Sequence, residues 1–130
     1  SNLTIGGNLT VNGTTTSVNT NNTTIEDVLL ELQVVDGSAL SSDTNKDVGL
    51  VMNYYDGSAK KAAMYWDDSA AKFVFSAVAT ESSGVLTNST AGTLEVGSLF
   101  INDCAGNTQL ISCSGTTRSL ENITIDGGSF

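Results

Sequence analysis

Short runs of alternating apolar and polar residues fill most of this chain, separated by Gly, Asn, Asp and Ser. A period of two marks half-buried strands, whose side chains point to opposite faces in turn. The clearest case covers residues 48–78. Val48–Tyr55 reads as a strand and Asp56-Gly57-Ser58 as a turn. Lys60–Trp66 reads as a second strand, with Ala62, Met64 and Trp66 on one face. Asp67–Ala71 reads as a second turn and Lys72–Val78 as a third strand. Three consecutive strands joined by short turns predict an antiparallel meander. This stretch holds the only Trp, all three Tyr and two of the four Phe. The folding core is therefore expected here, with Trp66 and one Tyr packed inside.

The N-terminus has a different pattern. Leu3-Thr4-Ile5-Gly6-Gly7-Asn8 is followed by Leu9-Thr10-Val11-Asn12-Gly13-Thr14, a repeat of period six. This predicts short strands with turns at Gly6-Gly7 and Asn12-Gly13. Each unit offers a narrow apolar edge that it cannot bury alone, and such units stack on neighbours or on other chains. Leu3, Ile5, Leu9 and Val11 are therefore expected at a subunit contact. Thr14–Val18 continues the style, and Asn19–Thr24 reads as a linker or turn.

Residues 25–35 fit two periods. Ile25, Val28, Leu29 and Leu32 have helical spacing, whereas Val28, Leu30, Leu32 and Val34 alternate as a strand. The β-rich surroundings favour the strand. Residues 37–47 read as a polar loop, and 79–92 as a Ser/Thr/Gly loop interrupted by Val85-Leu86. Thr93–Ile101 alternates again. Ala105-Gly106-Asn107-Thr108 then marks a hairpin between the two cysteines, and Ile123–Gly128 echoes Leu3–Gly7. The whole predicts an all-β chain: short N-terminal shaft-like strands, then a compact antiparallel β-meander or sandwich. The expected division is 1–24, a repeat stem or anchor, and 25–130, an antiparallel β domain.

Composition narrows the function. Only 39% of the 130 residues are apolar, so the core is small for the length and oligomerisation is a natural source of stability. A net charge of −9 with five basic residues argues against nucleic acid or an anionic membrane as partner. No run of about 18 apolar residues predicts a transmembrane helix. No charged and then apolar leader predicts secretion.

Candidate chemistry is sparse. The chain has no His, the commonest general base and transition-metal ligand. No phosphate-cradling glycine motif is present. Cys104 and Cys113 flank a turn that would hold their sulfurs about 13 Å apart, too far for a disulfide, so free thiols are expected. Asp43, Asp47, Asp56, Asp67 and Asp68 fall in loops, where oxygen ligands could hold Ca²⁺. Without EF-hand spacing, caps on their own turns are the simpler role. Tyr54, Tyr55, Tyr65 and Trp66 could form a sugar-stacking surface, but alternation divides Tyr54 from Tyr55. Glu26, Asp27, Glu31, Asp67 and Asp68 are the densest carboxylates. None forms the facing pair that glycoside hydrolysis needs. The expectation is a protein that is not an enzyme and that carries no cofactor and no metal.

A resemblance adds to this reading. Gly7-Asn8-Leu9-Thr10-Val11-Asn12-Gly13-Thr14-Thr15-Thr16 resembles shaft-forming segments of bacteriophage fibre proteins. Thr24–Leu32, Asp47–Val51 and Ala62–Phe75, in that order, resemble a module in structural proteins of tailed phages, especially marine phages and cyanophages. The likeness spans roughly residues 7–100. Val28 departs from it, standing where the module often has Pro. The resemblance implies a homotrimeric structural protein on the outer surface of a virion, made in the bacterial cytoplasm. A capsid decoration (cement or head-fibre) protein is the leading expectation. A tail-fibre or tail-spike component, with a host-surface glycan as ligand, is the alternative. The implied partners are further copies of the chain and major capsid or tail proteins.

Overall fold

The computed structural model describes residues 1–100. The chain divides into two compact units, Ser1–Gly92 and Thr93–Phe130. All regular structure among the described residues is β, and no helix occurs among them. Four strands follow one another: β1 (Val48–Tyr55), β2 (Ala59–Asp67), β3 (Lys72–Ser82) and β4 (Val85–Ala91). They form one antiparallel sheet in the order β1-β2-β3-β4.

The turns explain the order. Asp56-Gly57-Ser58 joins β1 to β2, with Gly57 at φ +69°, a conformation that glycine adopts without steric cost. Residues 68–71 join β2 to β3. There the Asp67 carboxylate accepts from Ser69 Oγ (2.8 Å) and from the Ala70 N–H (2.9 Å). These local bonds are the reason Asp favours turns. Ser83 and Gly84, both at positive φ, form a two-residue turn between β3 and β4. Positive φ at both central residues matches the natural twist of a hairpin.

The meander expected over 48–78 is present, and it is longer than expected. β3 continues to Ser82, and Val85–Ala91 is a fourth strand where a loop was expected. Residues 25–34 form neither the expected strand nor a helix; only an isolated bridge, Val35 to Ser38, follows. Among the described residues, 1–24 form no strand and pair with none, and every residue from Ser1 to Leu32 is exposed. A strand's backbone groups need a partner strand, and among the described residues these segments have none. Residues 93–100 also lack a strand. The cysteine hairpin and the C-terminal echo lie outside the described residues.

β3 is bent. Its pairing with β2 ends at Ala63↔Ser76, and its pairing with β4 shifts register at Ser76/Val78 and again at Val78/Ala79. Such bulges bend a strand and raise its local twist. The far half of β3 thereby leaves β2, and the hairpin brings Ala79 of β3 and Leu86 of β4 over one face of the sheet. Ala79 joins Ala63, Tyr65 and Val74 in the core, and Leu86 packs against them. Ser76 is also buried, and its hydroxyl donates to Asn88 Oδ1 (2.7 Å).

Candidate functional site

Register and alternation assign the strand residues to two faces. One carries Gly49, Ala63, Tyr65, Val74 and Ser76, and is covered by the bent β3–β4 hairpin. The other carries Val48, Leu50 and Met52 of β1, Ala62, Met64 and Trp66 of β2, and Phe73 and Phe75 of β3. Across the strands these fall in rows: Leu50↔Met64↔Phe75 and Val48↔Trp66↔Phe73. Trp66 and Phe73 meet edge to face, with ring centroids 5.0 Å apart and planes at 72°. Edge-to-face is a favoured geometry for aromatic pairs.

The second face is open. Leu50 (44%), Met52 (44%), Met64 (41%), Trp66 (37%), Phe73 (76%) and Phe75 (45%) all keep substantial exposure. The expectation that Trp66 would pack in the core is corrected here. Tyr65, at 3%, takes the central core position, and Trp66, its neighbour in sequence, points the other way. Apolar residues occupy both faces of β2, so alternation leaves the choice of face open.

The aromatic residues weighed as a sugar platform are not brought together. Tyr65 is buried on the covered face. Tyr54 lies on the side of Trp66 but at the far end of the sheet, where its hydroxyl donates to the Ala77 carbonyl (2.8 Å). Tyr55 is exposed at the β1–β2 turn.

The acidic loops have structural partners. Asp47 Oδ1 accepts from the Asp68 N–H (3.0 Å), and Oδ2 from the Leu86 N–H (2.6 Å). The Asp47 N–H donates in turn to the Gly84 carbonyl (2.9 Å). Asp56 pairs with Lys60 at 3.2 Å on the surface, and Asp43 Oδ1 accepts from the Asn45 N–H (2.7 Å). Hydrogen bonds from Ser69 and then Ala70 hold the Asp67 carboxyl below its usual pKa, with the Lys72 charge adding to them. Burial, followed by the charges of Asp67 and Asp47, raises the Tyr65 phenol. Among the described residues, no three His, Cys, Asp or Glu side chains gather closely enough to hold a metal ion. Glu26, Asp27 and Glu31 lie exposed along an irregular segment.

A cleft of about 440 Å³ opens where β3 leaves β2, lined by Asn53, Tyr54, Lys60, Lys61, Thr80 and Glu81 among others. Its polar groups are already paired in part: Lys61 Nζ donates to Asn53 Oδ1 (2.9 Å), and Lys60 Nζ to Asp56. Leu3 (87%), Ile5 (46%), Leu9 (68%) and Val11 (55%), the residues expected at a subunit contact, are all exposed in the single chain. Comparison with protein-family models, with curated proteins and with solved structures finds no match for this chain.

Proposed function

We propose that the chain is a self-assembling structural protein, active through its surfaces rather than through a catalytic centre. One observation carries the reading. Forty-seven residues precede β1, and nearly all of them are exposed, including Leu3, Leu9, Val18, Val28, Leu29 and Leu30. An extended segment with that many uncovered apolar side chains gains stability when further copies cover it. In this reading residues 1–24 are the stem, and Leu3, Ile5, Leu9 and Val11 make the stem's contacts.

The resemblance of residues 7–100 supports reading the assembly as a phage virion protein, a homotrimer on the capsid surface as a decoration protein. The hexad repeat favours a second location, a tail fibre. Copy number separates the two: hundreds per particle for a decoration protein, tens at most for a fibre, roughly as closed symmetry dictates.

Light scattering on the full chain and on a form lacking residues 1–18 tests the stem. A mass about three times 13.4 kDa, lost on truncation while the sheet stays folded, is the expected result. A truncated protein that assembles normally would remove the stem's role.

A further inference from the structure

The open face of the sheet differs in kind from the rest of the surface. Its ten strand positions in β1, β2 and the start of β3 are Val48, Leu50, Met52, Tyr54, Lys60, Ala62, Met64, Trp66, Phe73 and Phe75. None is acidic, in a chain with 14 carboxylate residues and a net charge of −9. The single charge, Lys60, is paired with Asp56 at the far end. Asp47, Asp67 and Glu81 fall on the other side of the sheet or at its rim.

We infer that this face is a contact between copies of the chain, the sheets turning Leu50, Met64, Phe75, Trp66 and Phe73 inward toward one another. The inference deepens the self-assembly proposed above and rests on it. Three observations choose a second copy as the occupant.

Charge is the first. Two surfaces of a −9 chain repel least where they meet without unpaired acids; none of this face's ten strand positions is acidic, and Asp56 at its end is paired with Lys60.

Area is the second. At roughly 150–250 Å² for a large buried side chain, the exposed parts of the six large residues offer about 500 Å² of apolar surface per copy. That is much of the roughly 800 Å² that each partner gives to a stable interface.

Core size is the third. Only Ala63, Tyr65, Val74 and Ala79 are buried apolar residues among those described, and no large side chain is fully enclosed. A sheet with one thin core and one bare apolar face is complete when every copy has its face covered. Further copies of the chain supply that cover in equal number. Beside this face, β1 is an edge strand of the sheet among the described residues. Its eight residues carry no charge and no Pro, so the edge lacks the usual guards against pairing with another chain.

The sequence provides its own probes. The only two methionines, Met52 and Met64, and the only tryptophan, Trp66, all lie on this face. Peroxide oxidation of the full-length protein, read by mass spectrometry across a dilution series alongside light scattering, measures its cover directly. In the oligomer both methionines should oxidise at least about tenfold more slowly than in the urea-unfolded chain, and Trp66 should resist acrylamide quenching. Phe75→Lys should yield a folded monomer in which both methionines oxidise freely. If that variant fails to fold, protection in the native oligomer still decides. An oligomer whose methionines oxidise as fast as in the unfolded chain overturns the face as a contact and leaves self-assembly standing. A monomer with freely oxidised methionines overturns both. A monomer with protected methionines also overturns the inference, because another segment of the same chain would then be the cover.

Discussion

The backbone N–H of Leu86 donates to Oδ2 of Asp47 at 2.6 Å, across 39 residues of chain. The other oxygen of that carboxylate accepts from Asp68, and the Asp47 N–H reaches Gly84. One residue before β1 thus ties the β2–β3 turn to the tip of the β3–β4 hairpin. The neighbouring Lys46 ammonium adds a bond to the Ser83 carbonyl. Together these contacts hold the hairpin across Tyr65.

Asp47→Ala leaves two partly buried N–H groups without their acceptor. Bonds to a charged acceptor contribute about 1.5–3 kcal/mol each, and some of that returns through water. The expected loss is about 2–3 kcal/mol in urea unfolding, with β4 amides losing hydrogen-exchange protection first. Asp47→Asn keeps one acceptor oxygen and should fall between. An unchanged midpoint in the alanine variant would show that the clasp is incidental.

Gly49 sits opposite Tyr65 in the β1–β2 register. A Cβ there would lie 2.2 Å from the Met64 carbonyl oxygen and 2.5 Å from Tyr65 Cα, both backbone atoms that cannot swing aside. Gly49→Ala should therefore push β1 away from β2 and cost about 2–3 kcal/mol, as overpacking does. Gly57→Ala is the comparison, because a Cβ there meets open space and only the positive φ is strained. It should cost about 1–2 kcal/mol. Equal thermal shifts for the two would refute the steric account.

Ala71 closes the β2–β3 turn at φ +50°. Ala71→Gly relieves that conformation at the cost of a more flexible unfolded chain, and should raise stability by about 0.5–1 kcal/mol. Calorimetry reads the sign directly.

Asp67 and Tyr65 give the sheet a pH signature. The Asp67 carboxyl titrates lower folded than unfolded, so its contribution is present above the unfolded carboxyl's range and fades as pH falls through the folded one. The Tyr65 phenol titrates higher folded than unfolded. Stability is thus full below the ordinary phenol range and declines as pH rises toward the folded value. Asp67→Asn should flatten the acid limb of a stability profile and leave the alkaline limb in place. Tyr65→Phe should flatten the alkaline limb.

Some of this fold was legible in the sequence. Val48–Tyr55 emerged with its observed bounds because a mostly apolar run ends at Asp-Gly-Ser. β2 and β3 followed because short Asp-rich turns separate them. β4 was missed for a specific reason. Its turn, Ser83-Gly84, needs positive φ at both residues, and Ser is an uncommon choice for the first. The strand it opens, Val85–Ala91, is mostly Thr, Ser and Asn, which also suits a loop. The apolar run at 25–35 misled because two apolar periods fit it and no strand among the described residues accepts it.

By itself the sequence determined that this is a β-rich chain with a meander at its centre, a repetitive N-terminus and a strongly acidic balance. These follow from period, turn chemistry and charge, all local properties. It left open which face of the meander is the inside, because Ala63, Tyr65 and Val74 alternate with Met64, Trp66 and Phe75, and both sets are apolar. Only the tertiary structure decided that. The bulges at Ser76–Ala79 bend β3, the hairpin crosses the Tyr65 side, and Asp47 fastens it there. The physical reason is that a bend and a clasp 39 residues apart select one of two nearly equivalent faces, and no local pattern encodes that choice.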